Sequence, residues 1–153
     1  MLLPQISDTL TESGMPWEVL LIDAASDDGT AFLLRQWCDG AGFRMAASSA
    51  PIHRVQAIVT GLTASRGDVT IVIDAYAHYP MSLLRQAITQ WKAGAQLVFA
   101  THEGGDRIVV REPHATGAGE LFTEVIATFD FGEVEGRCVL LDKCVVRRLL
   151  GGE

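Results

Sequence analysis

The stretch "VTIVIDAYAHYP", residues 69 to 80, decides the fold. Its opening run up to Ile73 is apolar or β-branched without alternation, which is typical of a strand covered on both faces, as in a parallel sheet. Asp74 follows at the carboxyl end of that strand. In open α/β sheets ligands bind at this end, because the strand ends and the following loops form a crevice. The stretch therefore predicts a buried parallel strand with an acid at a binding edge.

The rest of the chain alternates between strand and helix patterns. Strands are predicted at 16–23, 43–47, 69–73, 95–100, 107–110 and 137–141, and helices at 27–42, 51–67, 81–94, 117–129 and 142–150. Alternating strands and helices are typical of a mostly parallel sheet with right-handed crossovers and helices on both faces. We therefore expect a single α/β domain over residues 1–153, built as a three-layer sandwich.

Composition limits the possible partners. The chain has 153 residues and a net charge of −7, so as a whole it repels nucleic-acid backbones and anionic membranes. No apolar run reaches the ~20 residues that a membrane-spanning helix needs, and no leader pattern opens the chain. A cytoplasmic protein without nucleic-acid partners is expected. The spacing of Cys38, Cys138 and Cys144 indicates neither a disulfide framework nor a zinc site.

Three segments together resemble a known family. They are "WEVLLIDAASDDGTAFLLRQW", "GLTASRGDVTIVIDAYAHYP" and "RCVLLDKCVVRRLL", in this order along the chain. They resemble the family 2 glycosyltransferases of the GT-A fold, and most of all the polyprenyl-phosphate and dolichyl-phosphate sugar synthases. The resemblance implies a Rossmann-like nucleotide-diphospho-sugar transferase sheet, and transfer of a sugar from a UDP- or GDP-linked donor to a lipid-phosphate or saccharide acceptor.

The resemblance also implies binding roles for individual residues. Asp23, Ser26 and Asp28 agree with the acidic segment that grips the base and ribose, while Asp74 matches the first acid of the Asp-x-Asp metal motif. Such acids hold Mg²⁺ or Mn²⁺ on the diphosphate, where the ion assists departure of the nucleotide. Arg107, in the loop "THEGGDR", is expected to pair with a phosphate through its planar guanidinium.

Two motif positions depart from the family pattern. Ala24 stands where a second acid is usual, and Tyr76 takes the place of the second acid of the metal motif. A tyrosine hydroxyl is neutral at pH 7, whereas a hard cation prefers an anionic oxygen, so the Mg²⁺ or Mn²⁺ site is weakened. His78 and Asp74 together would hold a transition metal only poorly. A degenerate active site with impaired activity is therefore expected.

Candidate catalytic acids lie in the same glycine-rich loop. Inverting transfer requires an acid that takes the proton of the acceptor hydroxyl, whereas an anionic lipid phosphate needs less of this help. Glu103 and Asp106 are the acids in the corresponding region. They are the predicted catalytic residues.

The resemblance also implies that the chain is shortened relative to the family at both ends. The usual first strand, central in the family's sheet, is not found, and "MLLPQISDTL" resembles the helix that follows it. Either another chain fills the gap, or strand 17–23 pairs directly with strand 69–73. We expect the direct pairing, because an open slot leaves backbone groups unsatisfied. The missing strand is also a reason to expect a homodimer.

Two interpretations stay open at this point. Asp23 and Asp28 also suit the turn before a helix, where an acid accepts the first free amide hydrogens. The first hypothesis is therefore a metal-dependent glycosyltransferase that uses Asp23, Asp28 and Asp74. The second is a non-catalytic GT-A-like scaffold for partner binding or self-association.

Overall fold

The computed structural model describes residues 2–74, 79–130 and 136–151. The chain divides into two compact units: residues 16–67 form the small unit, and residues 1–15 together with 68–153 form the large unit. In chain order the helices and strands are α1 Leu2–Glu12, β1 Val19–Asp23, α2 Thr30–Trp37, β2 Phe43–Ala47, α3 Arg54–Ala64, β3 Val69–Ile73, α4 Met81–Lys92, β4 Leu97–His102, β5 Asp106–Arg111, the 3₁₀ helix Pro113–Ala115, α5 Ala118–Asp130, β6 Arg137–Asp142 and α6 Lys143–Leu149. The single domain expected over residues 1–153 stays a prediction.

The small unit is a strand-helix-strand-helix arrangement. Its strands β1 and β2 are parallel, in a register that runs from Val19 opposite Phe43 to Asp23 opposite Ala47. Helix α2 connects the two strands, as a parallel pair requires. The predicted α/β class with a parallel sheet is thus confirmed.

An aromatic cluster and an ion pair stabilise the end of the small unit where β1 and β2 begin. The ring of Trp17 meets that of Phe43 edge to face, with ring centroids 5.6 Å apart, and Trp37 lies 5.3 Å from Phe43 on the same measure. Nearby, Arg44 donates from Nε and Nη2 to the two carboxylate oxygens of Glu18, both at 2.9 Å. These contacts fix the start of both strands, at the opposite end of the small unit from the carboxyl ends of β1 and β2.

The large unit has a four-stranded sheet in the order β3-β6-β4-β5, in which every neighbouring pair is antiparallel. Strands β3 and β4 run in the same direction because both are antiparallel to β6, and α4 connects them. Strand β6 lies between them in the opposite direction, and β5 returns from β4 as a hairpin. The mostly parallel arrangement predicted from the alternation therefore does not extend to this sheet. Strands β1 and β3, for which we expected direct pairing, belong to different sheets.

Helices cover both faces of the β6 region. Successive residues of a strand point to opposite faces, and Cys138 contacts Tyr79 just before α4 while Arg137 contacts Thr128 of α5. The core between these layers contains fully buried side chains from β6, β4 and the helices: Leu83, Leu84, Leu97, Val98, Leu121, Val125, Val139, Leu140, Leu141 and Val145. The three-layer order expected from the sequence is found in this unit, and it holds the strand ends in fixed positions.

Candidate functional site

A cavity of about 530 Å³ opens at the carboxyl ends of β1 and β2 in the small unit. Its lining is apolar along Ile22, Ala46, Ala47, Ile52, Val55 and Val59, and polar at Asp23, Ser48, Gln56 and Thr60. The volume falls in the range of small-molecule sites, roughly 300–1,000 Å³, and the mixture of apolar walls with a few polar groups is typical of them. The carboxyl ends of the parallel strands thus border a cavity of the size of small-molecule sites.

Asp23 is the last residue of β1 and is only 5% exposed. Its Oδ1 accepts hydrogen bonds from the Ser26 hydroxyl at 2.5 Å and from the Ser26 amide at 3.3 Å, and Oδ2 has only a longer contact of 3.4 Å with that amide. The structure therefore brings two predicted binding residues together. Ser26 holds the carboxylate in place, and Oδ2, which makes only the longer of these hydrogen bonds, keeps acceptor capacity.

Asp28 has a local role at the start of α2. Its Oδ1 accepts hydrogen bonds from the Thr30 hydroxyl at 2.5 Å and the Thr30 amide at 3.0 Å, and these two bonds lower the pKa of Asp28. The side chain is exposed, and Asp28 is not part of the cavity lining. The helix-start interpretation therefore describes Asp28 better than nucleotide binding does.

The sheet edge of the large unit brings the ends of β3 and β4 beside the start of β6. Ile73 is opposite Cys138 and Thr101 is opposite Arg137, so Asp74, Thr101 and Arg137 lie along one line at this edge. Asp74 is half-buried there. Tyr76, which takes the place of the second acid of the metal motif, and His78 lie outside the described residues.

A divalent cation at Asp74 would need further oxygen ligands from the residues around it. Among residues 2–74, 79–130 and 136–151, no three His, Cys, Asp or Glu side chains form a group that would hold a metal ion. Asp74 by itself is too small a ligand set for a hard cation, which takes several oxygen ligands. The described residues thus do not complete the expected Mg²⁺ or Mn²⁺ site, and we assign no chemical step to such an ion.

Asp106 lies in a hydrogen-bonded cluster on the α4 side of the sheet edge. Its Oδ1 is 2.8 Å from Nδ1 of His102, and its Oδ2 accepts hydrogen bonds from Ser82 at 2.7 Å and Gln86 at 3.0 Å. The Ser82 bond, followed by that of His102, lowers the pKa of Asp106. The predicted catalytic acid is therefore an anion that connects the start of β5 to α4.

Glu103 contacts an arginine that the sequence analysis missed. Arg137 is 9% exposed; its Nη1 donates to the Thr128 carbonyl at 2.7 Å, and its Nη2 lies 3.5 Å from Glu103 Oε1. The buried Nε of Arg137 has no hydrogen-bond partner in the described structure. The only signal in the sequence is a single basic residue before the apolar run "CVLL". Arg107, the predicted phosphate ligand, lies on β5 opposite Thr101 and is exposed.

A tyrosine-cysteine pair lies behind this edge. The Tyr79 hydroxyl donates to Sγ of Cys138 at 2.5 Å, and both residues are buried. Burial raises the pKa of the Cys138 thiol to about 12 and also raises that of Tyr79. Because the thiolate is the reactive form of cysteine, Cys138 is an inert part of the core.

The model of glycosyl transferase family 2 matches residues 2–139 of the 153. The chain belongs to glycosyl transferase family 2. No curated protein matched the chain significantly.

A solved structure supports the fold of this family 2 chain. The mannosyltransferase PcManGT from Pyrobaculum calidifontis, in complex with GDP-Man and Mn²⁺, superposes with a TM-score of 0.56 at 21% identity. The match covers 97% of this chain and 43% of that one, so the chain spans less than half of the neighbour's length. At this identity the likeness shows the fold, which is of the GT-A type. Within the described residues, no helix has both the length and the apolar character needed to cross a bilayer.

Proposed function

We propose that this family 2 chain binds a nucleotide-sugar donor, with the base in the small-unit cavity beside Asp23. The observation that carries the proposal is the cavity of about 530 Å³ at the carboxyl ends of β1 and β2, with a buried acid on its wall. Apolar walls suit the faces of a base, and a fixed carboxylate accepts hydrogen bonds from its edge. Family membership supports the donor class.

The acid on the cavity wall favours guanine over uracil. A carboxylate only accepts hydrogen bonds, and guanine presents two adjacent donors, N1–H and the N2 amino group, which can both reach the acceptor capacity that Ser26 leaves at Oδ2. Uracil presents a single N–H between two carbonyl oxygens, which the carboxylate repels. The similar mannosyltransferase structure contains GDP-Man, which agrees with this preference. A GDP-linked sugar is therefore the proposed donor.

The proposed reaction is transfer of the sugar to an acceptor, either a lipid phosphate or a saccharide. The acceptor classes come from the resemblance to polyprenyl-phosphate and dolichyl-phosphate sugar synthases. Asp106 and Glu103 are the proposed acids at the acceptor. The lowered pKa of Asp106 keeps its carboxylate deprotonated, so that it can accept a proton, but it also makes that carboxylate a weak base. This weakness, with Tyr76 at the place of an acid, supports impaired transfer.

A non-catalytic scaffold is the second candidate. The observation that favours it lies on α2, where Phe32 and Leu33 are 65% and 60% exposed. Adjacent exposed apolar side chains on a helix are often sites of protein contact. In addition, Asp106 has three hydrogen-bond partners, which a purely structural acid would also have.

Calorimetric titration of the full chain tests the proposal. GDP, UDP, guanosine and GDP-mannose are titrated with Mn²⁺ and with EDTA, and release of GDP from GDP-mannose is followed with and without a short-chain prenyl phosphate. We expect guanosine to bind and GDP to bind at least about tenfold more tightly than UDP, since a lost hydrogen bond to a charged group costs about that much. Absence of binding by all four compounds would favour the scaffold.

A further inference from the structure

A comparison of two arginines indicates a second binding position in the large unit. Arg44 in the small unit uses its Nε and Nη2 together, each 2.9 Å from an oxygen of Glu18. Arg137 has the same guanidinium edge, yet within the part of the chain that the structure describes its Nε lacks a partner, and its Nη2 is 3.5 Å from Oε1 of Glu103. A guanidinium prefers two parallel bonds of about 2.7–2.9 Å to a carboxylate or phosphate. The edge of Arg137 is therefore shaped for an anion that Glu103 replaces only in part.

The energetics of Arg137 point the same way. An arginine keeps its charge in proteins, and a buried charge is costly unless it is paired and hydrogen-bonded. Arg137 is 9% exposed, whereas the Glu103 side chain is 61% exposed and so contributes only a weak, solvent-screened ion pair. Among residues 2–74, 79–130 and 136–151 the guanidinium thus remains under-compensated, and an incoming anion needs to displace only an exposed carboxylate.

The position of Arg137 is also that of a ligand-binding residue. It begins β6 at the edge where β3 and β4 end, in line with Thr101 and with Asp74. Its Nη1 is fixed by the Thr128 carbonyl at 2.7 Å, which orients the remaining Nε and Nη2 edge. A pre-oriented fork loses little entropy when it binds a planar or tetrahedral oxyanion.

We propose that Arg137 binds a phosphate group through its Nε and Nη2 edge, and that Glu103 occupies this position in its absence and moves aside when phosphate binds. The arginine edge stands on its own geometry, and the choice of phosphate rests on the proposed function. Phosphate can come from the diphosphate of the donor or from a phosphorylated acceptor. On this proposal Glu103 competes for the phosphate position, and Asp106 alone of the two acids proposed above remains the candidate at the acceptor.

Opposite effects of two substitutions test the proposal. Inorganic pyrophosphate and, separately, a short-chain alkyl phosphate are titrated into the full chain in EDTA. Arg137→Lys keeps the charge but loses the fork, and we expect pyrophosphate to bind about tenfold more weakly. Glu103→Gln removes the competing carboxylate, and we expect binding about threefold tighter than in the wild type. A gain of affinity cannot result from misfolding.

Matched controls come from an exposed ion pair in the same unit. Arg111 Nε and Glu124 Oε1 are 3.2 Å apart, and Arg111→Lys and Glu124→Gln should leave both affinities unchanged. If pyrophosphate responds to the two test substitutions, the site takes the donor diphosphate; if the alkyl phosphate responds, it takes the acceptor. Unchanged affinity for both ligands in Glu103→Gln, or no binding to the wild type, would overturn the site. Guanosine carries no phosphate, so its binding reports separately on the small-unit cavity.

Discussion

The strand ends of the small unit and those of the large unit differ in what they offer a ligand. Strands β1 and β2 end on a cavity of about 530 Å³ with Asp23 on its wall. Strands β3 and β4 end, and β6 begins, beside charged groups, with Asp106 on the α4 side and Arg137 on the α5 side. The first edge offers volume and apolar surface, and the second offers charge.

The difference extends to how firmly each unit holds its strands. Strand β6 is buried along most of its length, whereas β1 is only half-buried before Asp23. In the large unit, dense packing around β6 holds the charged groups at the sheet edge in position. In the small unit, the cavity leaves part of the surface beside β1 unpacked. The large unit should accordingly contribute more to stability per buried side chain.

The largest expected effect therefore comes from the core of β6. Leu140→Ala removes a side chain that is 0% exposed, and we expect the free energy of unfolding to fall by about 3 kcal/mol because a cavity remains. Leu21→Ala in half-buried β1 is the matched variant and should cost about half as much. Urea unfolding followed by circular dichroism measures both. Equal costs would mean that the two units do not differ in packing.

A smaller effect is expected where the aromatic cluster closes the small unit. Gly42 has φ +88°, and a Cβ there would come within 2.6 Å of the Trp17 ring. We expect Gly42→Ala to lower the unfolding free energy by about 2 kcal/mol, through backbone strain and displacement of the ring. Gly29, with φ +82° and no atom within 4 Å of the added Cβ, separates the two causes. Gly29→Ala should cost about 1 kcal/mol, and an equal loss in both variants would exclude the contact with Trp17.

The smallest effect concerns Asp106 and appears as a pH dependence. Hydrogen bonds from Ser82 and His102 lower the pKa of Asp106 in the folded protein. The stability it contributes is thus present above the usual pKa of about 3.9 and is lost as the pH falls through the lower folded value. We expect Asp106→Asn to cost about 1 kcal/mol at pH 7 and less below pH 3, because the side chain is partly exposed.

Unfolding between pH 2 and 7 measures this difference, with Asp8→Asn on the exposed side of α1 as the control. The control should follow the wild type throughout. A cost of Asp106→Asn that stays constant down to pH 2 would show that the carboxylate charge is not involved.

The elements of this fold were predictable from local patterns, because apolar runs and glycine-bounded helices mark them. The run "FRMAA" coincides with β2, and the acid after "LLI" lies at the carboxyl end of the parallel pair, as the strand pattern predicts. The order of the strands was not predictable, since the apolar run of β6 is equally suited to either direction. It pairs between β3 and β4 through contacts distant along the chain.

The residues of the large-unit edge show the same limit. Arg137 precedes an apolar run and looks like an ordinary surface residue in the sequence, yet it is buried by α5 contacts. The partnership of Asp106 with Ser82 joins residues 24 positions apart. Sequence patterns indicate which residue types are present, whereas burial and hydrogen-bond partners depend on tertiary packing.

Methyl NMR of the full chain during addition of guanosine tests whether the small-unit cavity beside Asp23 binds the base. We expect concentration-dependent chemical-shift changes at four cavity-lining residues: Ile22, Ile52, Val55 and Val59. Val139 and Val145 of the large-unit core serve as references that should not shift. In Asp23→Asn these shifts should require at least about tenfold more guanosine, whereas Asp27→Asn, an exposed neighbour, should behave as the wild type. Guanosine shifts confined to other residues, or an unchanged affinity in Asp23→Asn, would contradict the assignment of this cavity to the base.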